Sequence, residues 1–155
     1  MQRRVFAVKG PAGCGKSKTV RCVYKKLTSK FPRAQREHLL LRENGRDVCV
    51  VLRIGEIKIG IESDNHPKDR TKDSLDWFLE RGCNVIVCAT LTRGGTASPV
   101  EKLGETGWKI CPIPLKLPKQ SAKIRGAVSV SVWKMVARDG IEPPTPAFSG
   151  LRSTD

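Results

Sequence analysis

Apolar residues fall in short runs between polar, turn-rich stretches, and the spacing within each run points to strand or helix. "RRVFAVKG", residues 3 to 10, is an apolar run that stops at glycine, as a buried strand does. From Lys16 the period changes. Val20, Val23, Tyr24 and Leu27 share one face of a helix, with Lys18, Arg21, Lys25 and Lys26 largely on the other. This helix is expected to end before "KFPR", because proline disfavours helical backbone in the residue preceding it.

A polar connection follows. "DVCVVLRI" and "EIKIGIES" then flank Gly55, and a tight turn at Gly55–Glu56 would join them as an antiparallel hairpin. Ile57, Ile59 and Ile61 alternate with Lys58 and Gly60, which predicts a sheet with one face better covered than the other. "PKDRTKDSLDWFLERG" reads as a helix with proline near its start, Leu75, Phe78 and Leu79 on one face, and Gly82 as its stop. "CNVIVCAT" is expected to be the most buried strand. A loop, "LTRGGTAS", leads to a short helix around Pro99 to Leu103, and "WKICPI" to a last strand. Strands alternating with helices predict an α/β fold: a mainly parallel sheet flanked by helices, with one antiparallel hairpin. Ligands of such sheets bind beyond the carboxyl ends of the strands.

The rhythm is lost after Pro112, so residues 1–115 are read as the compact domain, 116–134 as a basic extension and 135–155 as a tail. The longest apolar runs are far shorter than the roughly 18 residues a membrane span needs. The N-terminal run passes straight into the glycine loop, leaving no signal-peptide core, so a cytoplasmic location is expected. Six cysteines form no C-x-x-C pair, and the two histidines are remote from any ligand spacing, which argues against zinc. Cys49 and Cys88, inside apolar runs, read as reduced structural thiols. The formal net charge of +14 would attract any polyanion, so nucleic acid is a possible partner, although a solvated basic surface also explains it.

"VKGPAGCGKSKT", residues 8 to 19, carries the chemistry. Gly10, Gly13 and Gly15 allow a backbone that turns successive N–H groups toward phosphate oxygens. Pro11, Ala12 and Cys14 complete the loop, with Cys14 as a small filler or a redox-sensitive thiol. The helix start adds the positive end of its dipole, and Lys18 lies in its first turn. Lys16 can reach terminal phosphates, and the Ser17 hydroxyl can face magnesium. Residues 4 to 28 resemble the Walker A strand, loop and helix of P-loop nucleoside triphosphatases. "KIGIESD" with "VIVCATLTRGGT" resembles small bacterial and mobile-element P-loop proteins.

The resemblance implies a nucleotide site at Gly10 to Lys18, with magnesium held by Ser17 and a carboxylate at a strand end. Glu62 and Asp64 follow an apolar strand, and Asp64 is favoured because such partners are typically aspartates. Both also fit as polar caps of a strand end. The most buried strand ends in Ala89 and Thr90 without an acid, which departs from the pattern. Arg93, after that strand and before Gly94 and Gly95, is the candidate for stabilising charge on a transferring phosphoryl group; Arg70 is a lesser one. The N-K-x-D tetrapeptide of guanine recognition does not occur, which favours ATP. The expectation is an ATP-binding protein with slow hydrolysis. A small-molecule or nucleotide kinase and a nucleotide-switched nucleic-acid-binding module are the alternatives.

"MVARDGIEPPTPAFSGLRSTD" resembles the translated strand opposite a tRNA gene: Gly140 to Pro143 fit the complement of a T-arm, and Ser153 to Asp155 that of a D-arm. The tail's net −1 leaves +15 on residues 1–134, so the basic character belongs to the body. Ending the chain at Lys134 is expected to leave stability and ATP affinity unchanged.

Overall fold

The computed structural model describes residues 2–41, 47–63, 70–91, 98–115 and 134. The first apolar run forms β1 (Arg4–Gly10), and the periodic segment after the glycine loop forms α1 (Lys16–Lys30). The remaining elements are β2 (Gln35–Leu41), β3 (Val48–Ile54), β4 (Ile57–Glu62), α2 (Arg70–Glu80), β5 (Val85–Leu91), α3 (Ser98–Glu105) and β6 (Lys109–Pro114). They build an α/β structure around one six-stranded mixed sheet of order β2-β3-β4-β5-β1-β6. β4, β5, β1 and β6 run parallel, while β3 is antiparallel to both β4 and β2.

The hairpin turns at Gly55, where φ is +58°, and Ile54 pairs with Ile57 across it. Gly82, with φ +68°, lies just past α2 where a helix stop is expected. Residues 35–41 are not the polar connection that their composition predicts. They form β2, which among the described residues is an edge strand paired with β3. "QREHLLL" has no period-2 alternation, so its pairing is set by β3 and not by its own pattern.

Both faces of the sheet are covered. Val20, Val23 and Leu27 of α1 pack with Phe6, Val8, Ile59, Ile61, Val85, Val87 and Ala89. On the other face Leu75 and Phe78 of α2, and Val100 and Leu103 of α3, pack with Val5, Ala7, Ile86 and Cys88. Gly60 breaks the apolar alternation of β4 because a Cβ there would lie 2.6 Å from the Phe78 ring. The glycine makes room for an aromatic that carries the apolar area.

One sheet edge is closed chemically. Lys109 and Leu115 donate their N–H groups to Arg3 and Lys9 of the β1 side, so with period 2 the residues at 112 and 114 face away from β1. Both are proline. Neither offers an N–H to a further strand.

The six cysteines are free thiols, and Cys49, Cys83 and Cys88 are buried. Burial pushes the Cys83 and Cys88 thiols up to about 12 from 9.0, with nearby charges adding smaller effects. A thiol whose folded pKa is raised contributes stability that is full below pH 9 and lost as pH climbs toward 12. The urea midpoint is therefore expected to fall with rising pH across that window. Cys88→Ala should begin less stable at neutral pH and show a shallower alkaline fall; a parallel fall would remove Cys88 from the explanation.

Candidate phosphate-binding site

Parallel strands β4, β5, β1 and β6 share a carboxyl edge, and the glycine loop leaves β1 at that edge. Gly13 has φ +75° and Gly15 φ +94°, both in the left-handed region that a side chain disfavours. The Cys14 N–H donates to the Pro11 carbonyl at 3.4 Å, closing a turn. Pro11, Ala12 and Gly13 are exposed, whereas Cys14 is buried and belongs to the core on the α1 side, so it fills space beneath the loop.

Gly15 is the N-cap of α1 and has no side chain with which to accept an amide, and the first turn contains no acidic residue. Thr19 donates both its N–H, at 2.9 Å, and its hydroxyl, at 3.0 Å, to the Gly15 carbonyl. The N–H groups of Lys16, Ser17 and Lys18 therefore stand ahead of the first intrahelical bond. They point outward from the positive end of a 15-residue helix.

Lys16 is only 2% exposed. Its ammonium donates to the Gly10 carbonyl at 2.9 Å and the Pro11 carbonyl at 2.7 Å, tying the helix start back to the end of β1. Burial lowers its pKa, an effect that the neighbouring Cys14 partly opposes. A buried cation on two neutral carbonyls is half-satisfied: it has hydrogen-bond partners but, among the described residues, no carboxylate counter-charge. Ser17 is half-buried and Lys18 exposed, so the loop's nine residues Gly10 to Lys18 form one continuous surface from buried to open.

The strand-end carboxylate is placed differently. Glu62, 2% exposed, is level with Cys88, which is level with Ala7, two strands away from the loop strand. Alternation along β4 puts it on the face that α2 and α3 cover, where it and Lys9 act electrically on the Cys88 thiol from opposite directions. Lys9 also meets Glu101 of α3 at 3.7 Å. Asp64, the favoured magnesium partner, follows Ser63 directly but lies outside the described residues, as do Arg93, Gly94 and Gly95. Arg70 is the first residue of α2. Ser63 is engaged in the fold: its hydroxyl accepts from the Val48 N–H at 2.8 Å and donates to Asp47 at 3.1 Å.

Thr90 was legible only as the absence of an acid. It is 0% exposed, next to last in β5 and level with Lys9, one residue short of Gly10. Its Oγ1 is buried with no hydrogen-bond partner among the described residues. Leaving a buried hydroxyl unsatisfied costs about 1–3 kcal/mol, and by alternation with Ile86 and Cys88 the Thr90 side chain lies, like Glu62, on the face that α2 and α3 cover. A polar residue closing an otherwise apolar buried strand was the sequence signal for it. Among the described residues no three His, Cys, Asp or Glu side chains converge as a metal site. No helix among them is long and apolar enough to cross a membrane.

No family model matches the chain, and neither a curated protein nor a solved structure matches it.

Proposed function

We propose that Gly10 to Lys18 bind a nucleoside triphosphate, with ATP as the expected nucleotide, and that slow hydrolysis follows. The observation that supports this most is the buried Lys16 ammonium beside an uncapped helix start with no acidic residue in its first turn. That arrangement is costly without an anion and complementary to one.

In this reading the N–H groups of Lys16, Ser17 and Lys18 hold phosphate oxygens, and Lys16 exchanges its two carbonyl partners for the terminal phosphates. The Ser17 hydroxyl and a carboxylate at the end of β4, Asp64 or Glu62, are hard oxygen donors. They suit magnesium carried in on the phosphates, which takes one or two protein carboxylates and keeps its waters. Bound there, magnesium would neutralise charge on the phosphoryl group being transferred. Arg93 would serve the transferring group.

Titration with ATP and ADP, with and without magnesium, tests this. Tighter, magnesium-dependent binding of ATP is expected. Asp64→Asn is expected to lose more of the magnesium dependence than Glu62→Gln, since the Glu62 side chain lies on the face of the sheet away from α1. Affinity for neither nucleotide would sink the reading.

A further inference from the structure

Beyond Lys18, whose backbone N–H belongs to the proposed phosphate site, the outward face of α1 has no part in that site. Within its 15 residues the helix carries six lysines and arginines and no acid. Lys18, Arg21 and Lys25, at steps of three and four, share one side of the helix and, with Cys22, line a hollow of about 580 Å³. The stripe runs roughly 10 Å along the axis. Lys18 and Lys25 are exposed and make no ion pair among the described residues. Beside the stripe, Tyr24 is half-buried and the Arg36 guanidinium of β2 lies 5.8 Å from its ring centroid.

We propose that this face of α1 is a binding track for single-stranded nucleic acid. Lys18, Arg21 and Lys25 neutralise successive phosphates, and the Tyr24–Arg36 pair supplies planar groups on which an unpaired base stacks. A duplex keeps its bases stacked internally and would use only the cations. A lipid surface fits worse, because Val20, Val23 and Leu27, the apolar side that such a helix would insert, are already spent on the protein core. The track does not depend on the nucleotide reading, since Arg21 and Lys25 lie beyond the loop.

Fluorescence anisotropy with labelled oligo(dT) and oligo(U), and with a duplex, over salt from about 50 to 200 mM tests it. Arg21→Gln/Lys25→Gln is expected to weaken single-strand binding at least about tenfold and to make the log–log salt slope shallower by about 1.4, roughly 0.7 per cation removed. ATP affinity should not change. Lys102→Gln/Lys109→Gln removes the same charge from exposed positions on α3 and β6 and should leave binding in place. Tyr24→Leu should cost about tenfold with the slope preserved, as loss of stacking does. Equal losses from the two double variants would show a diffuse field and overturn the proposal. So would duplex binding as tight as single-strand binding. Loss of ATP binding alone would count against the phosphate site and leave the track standing.

Discussion

Lys16→Met is expected to lower ATP affinity roughly 10- to 150-fold, the equivalent of about 1.5–3 kcal/mol for a hydrogen bond to a charged group, while changing folding stability by only about 1 kcal/mol. Two effects on the fold oppose each other. Methionine leaves the Gly10 and Pro11 carbonyls without their 2.9 and 2.7 Å donor, which destabilises. It also removes a cation that burial disfavours, the same desolvation that lowers the Lys16 pKa, and this stabilises. No such cancellation operates on ATP, because the thioether offers phosphate neither charge nor donor.

The pH dependence separates the roles further. A lysine with a lowered folded pKa is protonated less readily in the folded than in the unfolded chain, so its contribution to stability rises as pH climbs toward 10.5. The variant should lose that component. Calorimetric titration with ATP and thermal denaturation across alkaline pH measure both. A fall of several kcal/mol in stability with ATP affinity intact would make Lys16 a structural clamp and remove it from the phosphate site.

Local signals made the strands, the hairpin turn and the helices legible in the sequence, since each was carried by adjacent residues. Gly15, Lys16 and the valines at 20 and 23 specify a loop and an amphipathic helix within a dozen positions. What stayed hidden was set across the sheet. β2 has no alternation of its own and exists because β3 presents an open edge to it. The face on which Glu62 lies follows from its register with Cys88, a relation between residues 26 positions apart. Thr90 reads as a missing acid in the sequence; that its buried hydroxyl has no partner among the described residues is visible only once β5 is seated between β4 and β1.

Charge placement links the two proposed sites. α1 ends its dipole on the loop and carries cations along its outer face, while its acids number none. One helix thus presents positive potential at its tip and along its side. An anion at the tip and a polyanion on the side would relieve the same repulsion among its lysines, and they share only Lys18, through its backbone N–H at the tip and its ammonium on the side.

Gly10→Ala is expected to cost about 1–3 kcal/mol of stability, the usual range for overpacking a filled site, and to abolish tight ATP binding with it. Gly10 does not need a left-handed backbone; it needs space. A Cβ there would lie 2.6 Å from the Cys14 sulfur, 2.7 Å from the Leu115 carbonyl oxygen and 3.3 Å from the Leu115 Cβ. The sulfur can swing away, but Leu115 is held by its own N–H, which donates to the Lys9 carbonyl at 2.7 Å. Relief therefore requires the end of β6 to move off β1, or the loop to lift from the strand, and the second displaces the Gly10 carbonyl that holds Lys16. Pairing the change with Cys14→Ala tests the division. Removing the sulfur should restore only part of the melting temperature and little of the ATP affinity, because the backbone contact with Leu115 persists. Full rescue of both by Cys14→Ala would show that the sulfur alone enforces glycine at this position, and that the end of β6 does not brace the loop.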